Sequence, residues 1–479
     1  MTAGRLPGRL GNRDPERLGD RDPERLGDRE PAAITVVGVG TSPLPDLARA
    51  RLAEADLVVG GRRQLAAVEA LRGAATPGHP RGTATGSRPG GEGGPRTFEL
   101  TGNLAPAVTS IAACAGPVVV LASGDPGFFG IVRALAERFG RGRLEVVPGV
   151  SPVAAAFARA ALPWDDALVV SAHGRDPGPA VNACLAHPKV AVLTEPGFGP
   201  AQLAAALAGH GRRFLVAERL GDPGERVVEG DAAEIAAGRW ADPNVVVVFD
   251  PAAAVGAKGR AWPARRAPER WALPEAAFEH RPPSDGHGPE ARLGVPTGTE
   301  QDDLLPEWAG MVTKAEVRAL ALARLGPGLG DLVWDVGAGS GSVGVECARL
   351  GAAVLAVERD PAARRLVAAN AARHGVGVTV VAGSAPEALE GLPEPDAVFV
   401  GGTGGALEGV CKLVAVRARR AVVLALAGIE RVVPAASLLA EGGLEVETVL
   451  LQASRVRGVG GLHRLVPVNP VFLVSGVRL

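Results

Sequence analysis

Residues 335–341 read Asp-Val-Gly-Ala-Gly-Ser-Gly, and an acid, Glu358, closes the next strand-like run. The apolar run Leu332-Val333-Trp334 leads into the glycines, and Val343 to Leu350 reads as a helix leading away. A strand that feeds a helix through Gly337, Gly339 and Gly341 brings backbone N–H groups close to a ligand at a helix N-terminus. Glu358 ends Val354-Leu355-Ala356-Val357, where a carboxylate grips two ribose hydroxyls. The expectation is a Rossmann-like α/β sheet that holds an adenosine-type cofactor. Gly339-Ser-Gly341-Ser-Val-Gly344 also fits the dinucleotide fingerprint G-x-G-x-x-G, which keeps a nicotinamide open. Asp335 ahead of the first glycine favours S-adenosylmethionine. Gly383-Ser384-Ala385, after a third strand over Val378 to Val381, is the turn expected to meet an adenine edge.

At 479 residues the chain is long enough for several domains. The net charge is −1 and no basic run tracks a phosphate backbone, so a nucleic-acid partner is not expected. Cys114, Cys184, Cys347 and Cys411 are scattered without a C-x-x-C pair, which argues against a metal knuckle and for buried thiols in a reducing cytoplasm. No apolar run reaches membrane-spanning length, and the N-terminus lacks the apolar stretch of a signal peptide.

Residues 11–31 repeat a charged eight-residue unit built on Arg-Asp-Pro-Glu-Arg-Leu-Gly, and residues 1–32 are expected to be a disordered tail. From 33 to 250, apolar strands alternate with helical stretches, the pattern of a mainly parallel α/β domain. It is interrupted by a Pro/Gly/Ser/Thr-rich insertion at 76–96. Residues 251–309 lose the periodicity and read as a linker, and a second α/β domain occupies 310–479.

Several blocks carry a resemblance. Val37-Gly-Val-Gly, Val59-Gly-Gly-Arg-Arg-Gln-Leu, Ala122-Ser-Gly-Asp-Pro-Gly-Phe-Phe-Gly, Val147-Pro-Gly-Val-Ser-Pro-Val and Val170-Ser-Ala-His-Gly-Arg resemble the tetrapyrrole (corrin and porphyrin) methylases, a two-lobed fold. The first loop departs from that family's Gly-x-Gly-Pro-Gly, reading Gly38-Val-Gly40-Thr-Ser-Pro. Thr313-Lys-Ala-Glu-Val-Arg, Asp335 to Gly341, Gly383-Ser-Ala-Pro-Glu-Ala-Leu, Gly401-Gly-Thr-Gly-Gly and Asn469-Pro-Val look like the decarboxylating cobalamin-pathway methyltransferases, of Rossmann-like class I fold. Fused in this order, the two are similar to the precorrin-6Y C5,15-methyltransferase (decarboxylating) family.

The resemblance implies S-adenosylmethionine as cofactor and a reduced tetrapyrrole as substrate. It implies methylation at C5 by the first domain, and methylation at C15 with loss of the ring-C acetate carboxylate by the second. It also implies a homo-oligomer with transient contacts to other corrin-pathway enzymes. Cofactor contacts are expected from Thr313, Gly337, Ala338, Gly339, Ser340, Gly341, Glu358 and Ala385 in the second domain, and from Gly38, Gly40, Gly124, Asp125 and Pro126 in the first. Thr313 also fits a helix N-cap, and Asp125 a cap for a helix over Phe129 to Phe139. Gly401, Gly402, Thr403, Gly404 and Gly405 follow a strand's C-terminal end, where open α/β sheets place ligands. Arginine forks suit a substrate rich in carboxylates; Arg455 leads that group, with Arg62, Arg63, Arg175, Arg457 and Arg464. His173 reads more readily as structural than as a base. Two other readings compete: a nicotinamide oxidoreductase, disfavoured because the chain has no tyrosine for a Tyr-x-x-x-Lys pair, and a non-catalytic corrinoid carrier, which has no use for two cofactor loops.

Overall fold

The computed structural model describes residues 33–40, 43–73, 95–254, 270–280, 312–459 and 462–479. The repeat tail, nearly all of the 76–96 insertion and most of the linker stretch lie outside the described residues. Packing divides the chain into two compact units, one ending at Pro152 and one running from Val153 to Leu479.

In the first unit, β1 (Ile34–Val39), β2 (Leu57–Gly60), β3 (Arg96–Glu99), β4 (Val118–Ser123) and β5 (Leu144–Val147) form one sheet in the order β3-β2-β4-β1-β5. All its pairings are parallel. The near-continuous Val/Ile/Leu runs of β1 and β4 are buried on both faces, as parallel strands covered by helices must be. The loops after β1, β4 and β5 therefore leave the same edge.

The second unit holds two main sheets. One contains β6 (Leu168–Ser171), β7 (Lys189–Leu193), β8 (Arg213–Glu218), β9 (Arg226–Asp231) and β10 (Asn244–Phe249), ordered β6-β7-β10-β8-β9. Only β6 and β7 run parallel; the other three pairings are antiparallel. This corrects the expectation of a mainly parallel domain. Between β8 and β9 there is room only for a turn built on Gly221-Asp-Pro-Gly, far short of the dozen or so residues that a parallel crossover needs.

The other sheet contains β11 (Leu332–Val336), β12 (Ala353–Glu358), β13 (Thr379–Ala382), β14 (Ala397–Val400), β15 (Ala421–Leu426), β16 (Glu445–Leu451) and, after a separate hairpin of β17 (Ser454–Val459) and β18 (Leu462–Pro467), β19 (Val471–Val477). Its order is β13-β12-β11-β14-β15-β19-β16, with β19 antiparallel to both of its neighbours. Apolar clusters cover both faces, one around Trp334, Leu355, Val398 and Leu424, the other around Val333, Val354, Phe399 and Val423. The strand order reverses between β11 and β14, and open α/β sheets bind ligands at that switch.

Residues 270–280, inside the stretch read as a linker, are part of this last domain: Phe278 is buried with Val312, Val345 and Ala371. The packing division also falls well before residue 250. The helix Gly178–Ala186 packs against the third sheet's domain, where Asn182 Nδ2 donates to Gly330 O at 2.9 Å and His210 Nδ1 meets Thr379 Oγ1 at 3.2 Å. Gly330 and Thr379 stand at the N-terminal ends of β11 and β13, the edge opposite the glycine loop.

Candidate functional site

Gly337, Gly339 and Gly341 have φ of 67°, 60° and 71°, the left-handed region that side chains with a Cβ enter only with strain. Three such residues in seven turn the chain sharply from β11 into the helix Ser342–Arg349. The turn is pinned to the neighbouring strand, since the N–H groups of Gly337 and Ala338 donate to Val357 O at 2.9 and 3.2 Å. Glu358 then takes one backbone donor on each oxygen: Gly339 N to Oε2 and Asp360 N to Oε1, both at 2.9 Å. A carboxylate has about four acceptor sites, so each oxygen keeps one for a ribose hydroxyl. Ser340 Oγ is fully buried without a hydrogen-bond partner. A fixed carboxylate with spare acceptors, an orphaned hydroxyl and a cradle of glycines fit an adenosine-type cofactor.

Asp335 lies beneath this loop, 1 % exposed, and its Oδ2 accepts from Gly344 N at 2.9 Å. Burial pushes its carboxyl up to about 7, against the pull of the Gly344 N–H and with the nearby charge of Glu358 adding to the rise. It orders the start of the helix and faces away from solvent.

The loop after β14 closes the other side. Gly401 N donates to Val336 O at 2.9 Å, and a Cβ placed on Gly337 would lie 2.4 Å from Gly402 O. Thr403 is buried and its carbonyl accepts from Ala406 N. Gly404 has φ 55°. Ala385, in the turn after β13, packs against the apolar core.

A second layer holds the cradle from behind. Asn370 is fully buried; its Nδ2 donates to Ser340 O and Glu279 O, each at 2.8 Å, and its Oδ1 accepts from Glu279 N at 2.7 Å. Glu346, on the helix that leaves the glycine loop, accepts from Leu273 N at 2.7 Å and pairs with Arg349 at 2.8 Å. Arg318 is fully buried 3.5 Å from Glu346, lies over the Phe278 ring at 4.6 Å, and donates to the carbonyls of Thr313 and Leu273. Burial lowers its affinity for the proton, and Glu346 works against that. Arg455 reaches from β17 to Glu275 at 2.7 Å and Glu316 at 3.2 Å. Burial opposes ionisation of Glu275, but Arg455 outweighs it and holds the carboxyl down at about 2.

In the first unit three loops converge at the strand ends. A Cβ on Gly38 would lie 2.1 Å from Gly124 O and 2.3 Å from Gly149 N, and Gly124 N donates to Val39 O at 2.8 Å. Gly124 has φ 61°. Phe129 has φ 52°, is half exposed, and stands edge-on to Phe128. A bulky residue in the left-handed region marks strain of the kind stored at functional sites.

Residues 33–236 match the family described as Tetrapyrrole (Corrin/Porphyrin) Methylases, and residues 307–478 match the family described as a Precorrin methyltransferase domain. A precorrin-6Y C(5,15)-methyltransferase (decarboxylating) from Sinorhizobium sp is 36% identical over 391 residues, 79% of this chain and 80% of that one. The chain belongs to the precorrin-6Y C(5,15)-methyltransferase (decarboxylating) family. A second member, from Mycobacterium tuberculosis, is 32% identical over 378 residues, covering 77% of this chain and 80% of its own length. The cobalt-precorrin-6B C(15)-methyltransferase (decarboxylating) of Salmonella typhimurium is 36% identical over 170 residues, 34% of this chain and 88% of that one. The nicotinamide and carrier readings find no support in this family.

Within the family frame the expected residues sort by position. Gly337 to Gly341 and Glu358 form one cradle, with Gly401 and Gly402 against it. Gly38 and Gly124 meet at the first unit's strand ends, joined by Gly149, which was read only as part of a motif. Thr313 is no N-cap: the helix Ala315–Leu325 has Lys314 in that place, without a side-chain cap bond. Asp125 caps no helix either. Its Oδ1 accepts from Gly127 N at 2.8 Å, and the helix starts only at Val132. Arg455 is paired with Glu275 and Glu316, and Arg62 with Glu99. Asn370, Glu346 and residues 270–280 were missed.

Proposed function

We propose that this chain methylates precorrin-6B at C5 and C15 and removes the ring-C acetate carboxylate as carbon dioxide, giving precorrin-8X in cobalamin biosynthesis. It is a decarboxylating C-methyltransferase that uses S-adenosylmethionine. The observation that carries the reading is the presence, on one chain and in this order, of two glycine-built strand-end cradles in two methylase families.

S-adenosylmethionine supplies a methyl group on a sulfonium, already reactive toward an electron-rich carbon. We assign C5 methylation to residues 33–250, and C15 methylation with decarboxylation to residues 310–479 together with 270–280. Glu358 holds the ribose hydroxyls; residues 337–341 and Thr313 line the methionine and ribose side, and Ala385 the adenine edge. Gly401 to Gly405 face the macrocycle. In the first domain Gly38, Gly40, Gly124, Asp125 and Pro126 wall the cofactor cleft. The protein's task is alignment: effective molarities of about 10⁵–10⁸ M measure what positioning two reactants supplies. When the acetate leaves as carbon dioxide, its electron pair passes into the conjugated macrocycle, and a poorly hydrated pocket favours that loss of charge. The family reading also supports a homo-oligomer, transient contacts with other corrin-pathway enzymes and a cytoplasmic site of action; sedimentation tests the first. Among the described residues no helix is long and apolar enough to cross a membrane.

The test is mass spectrometry of the product after incubation with S-adenosylmethionine and precorrin-6B. A gain of two methyl groups with loss of one carbon dioxide is expected. An unchanged mass with intact cofactor binding refutes the substrate.

A further inference from the structure

Most arginines of the domain built on β11 to β19 already have partners. Arg324 pairs with Glu447, Arg349 with Glu346, Arg417 with Glu394, Arg420 with Asp331 and Arg455 with Glu275. Arg364 and Arg478 are bonded to backbone carbonyls. Arg359 differs. It follows Glu358 directly, its residue is exposed, and its guanidinium has no ion pair or hydrogen bond among the described residues. A methyl group built on Gly404 would lie 3.7 Å from Arg359 Nη1. Since β11 lies between β12 and β14, a side chain rooted at the end of β12 that approaches the loop after β14 crosses above the glycine loop of β11. Arg365, Arg373, Arg431 and Arg464 likewise have no ion pair or side-chain hydrogen bond among the described residues, but Arg365 and Arg373 lie on the helix Pro361–His374, Arg464 on β18, and Arg431 beyond β15, one strand farther out.

We propose that Arg359 is a substrate-positioning residue: its guanidinium binds a carboxylate of the tetrapyrrole that does not react, and so orients C15 and the acetate over the cofactor. This rests on the functional reading above. A planar fork with five donors takes a carboxylate through two parallel hydrogen bonds, and a bidentate contact fixes orientation as well as affinity. The bound carboxylate is not the one that departs. An ion pair stabilises a carboxylate more than neutral carbon dioxide, so an arginine on the acetate would raise the barrier to its loss. A fork on a distant carboxylate supplies binding energy that is used for alignment.

The test compares full-length wild type with Arg359→Gln and Arg359→Lys. Carbon dioxide release from precorrin-6B reports this domain alone, calorimetry reports S-adenosylmethionine affinity, and thermal melting checks the fold. Arg359→Gln is expected to lower kcat/KM for precorrin-6B about tenfold, raising KM and lowering kcat together, with cofactor Kd unchanged. Arg359→Lys keeps the charge but not the fork and should fall between. The gap between wild type and Arg359→Gln should shrink at high salt. An unchanged KM overturns the proposal. So does a weakened cofactor Kd with KM intact, which would move Arg359 to the cofactor, or a raised kcat, which would place it on the leaving carboxylate. Wild type that releases no carbon dioxide from precorrin-6B refutes the parent reading instead, a result distinct from an active wild type whose variants match it.

Discussion

Replacing Asp335 by asparagine should make the protein more stable at pH 8 and less stable, by about 1–3 kcal/mol, at pH 4. The carboxyl is buried beneath the glycine loop and pushed from 3.8 to about 7, first by loss of water and then by the charge of Glu358. An acid whose folded pKa exceeds its unfolded one binds the proton more tightly in the native state. Below about pH 3.8 both states are protonated and Asp335 costs nothing. As pH rises through the interval to about 7, the unfolded chain has released the proton and the folded chain retains it, so stability falls. Above 7 the whole penalty is present, about 4 kcal/mol at roughly 1.4 kcal/mol per pKa unit. Asparagine is neutral throughout, and its Oδ1 still accepts from Gly344 N. Its amide hydrogens need partners in a buried site, which costs about 1–3 kcal/mol at every pH. The discriminating quantity is therefore the slope. Urea unfolding followed by tryptophan fluorescence, run on both proteins from pH 4 to 8, should give a stability difference that grows in favour of the variant by several kcal/mol. Titrations common to both proteins cancel. Parallel curves would refute the argument that Asp335 is held against ionisation.

Other variants test other parts of the site. Glu358→Gln loses charge-assisted bonds worth about 1.5–3 kcal/mol, so calorimetric affinity for S-adenosylmethionine should drop roughly 10- to 100-fold; unaltered affinity would remove Glu358 from the ribose. Gly337→Ala forces a Cβ to within 2.4 Å of Gly402 O at φ 67°. It should abolish cofactor binding in the C-terminal domain while circular dichroism stays native. Asn370→Ala leaves Ser340 O and both Glu279 backbone groups without their partner and should cost about 3 kcal/mol or more in a thermal or urea melt. The depressed Glu275 carboxyl adds stability above its ordinary pKa, lost as pH falls toward about 2. Glu275→Gln should therefore expose the β17–β18 hairpin to limited proteolysis at neutral pH, and wild type only under strong acid.

Where one backbone rule governs a stretch, the sequence revealed the structure. Asp335 to Gly341 and Glu358 were legible because left-handed φ values demand glycine and because a strand-end acid has few other uses. Both methylase blocks were legible as motifs for the same reason: Gly38, Gly124 and Gly149 sit where no Cβ fits. The second sheet was misread because alternation of strands and helices also suits a mixed sheet. Direction there is decided by the short Gly221-Asp-Pro-Gly turn and by β9, most of whose residues are exposed or half-exposed and carry little apolar signal. Arg455 looked available because sequence shows a charge but not its distant partner: Glu275 is 180 positions away. Thr313 and Asp125 had cap-type side chains, yet each helix began later than the nearest cap residue.

The 270–280 segment shows why the missed residues belong to the site's chemistry. The cofactor cradle is a loop of small residues with almost no side chains to brace it, so its rigidity must come from the backbone and from what lies behind it. Asn370 fixes the carbonyl of Ser340 and, with the same amide group, the backbone of Glu279; Glu346 fixes Leu273 from the helix that the loop initiates. Arg318 then joins Leu273 to Thr313, and Arg455 joins Glu275 to the hairpin. Each link is a buried or half-buried polar group that is costly to leave unpaired. The segment is thus fastened at four points to elements on either side of the loop. A catalytic unit that starts near residue 310 would keep every glycine and lose this brace. It should fold into the same sheet yet bind S-adenosylmethionine more weakly than one that starts ahead of residue 270, and equal affinity in the two fragments would show that the loop needs no support from behind.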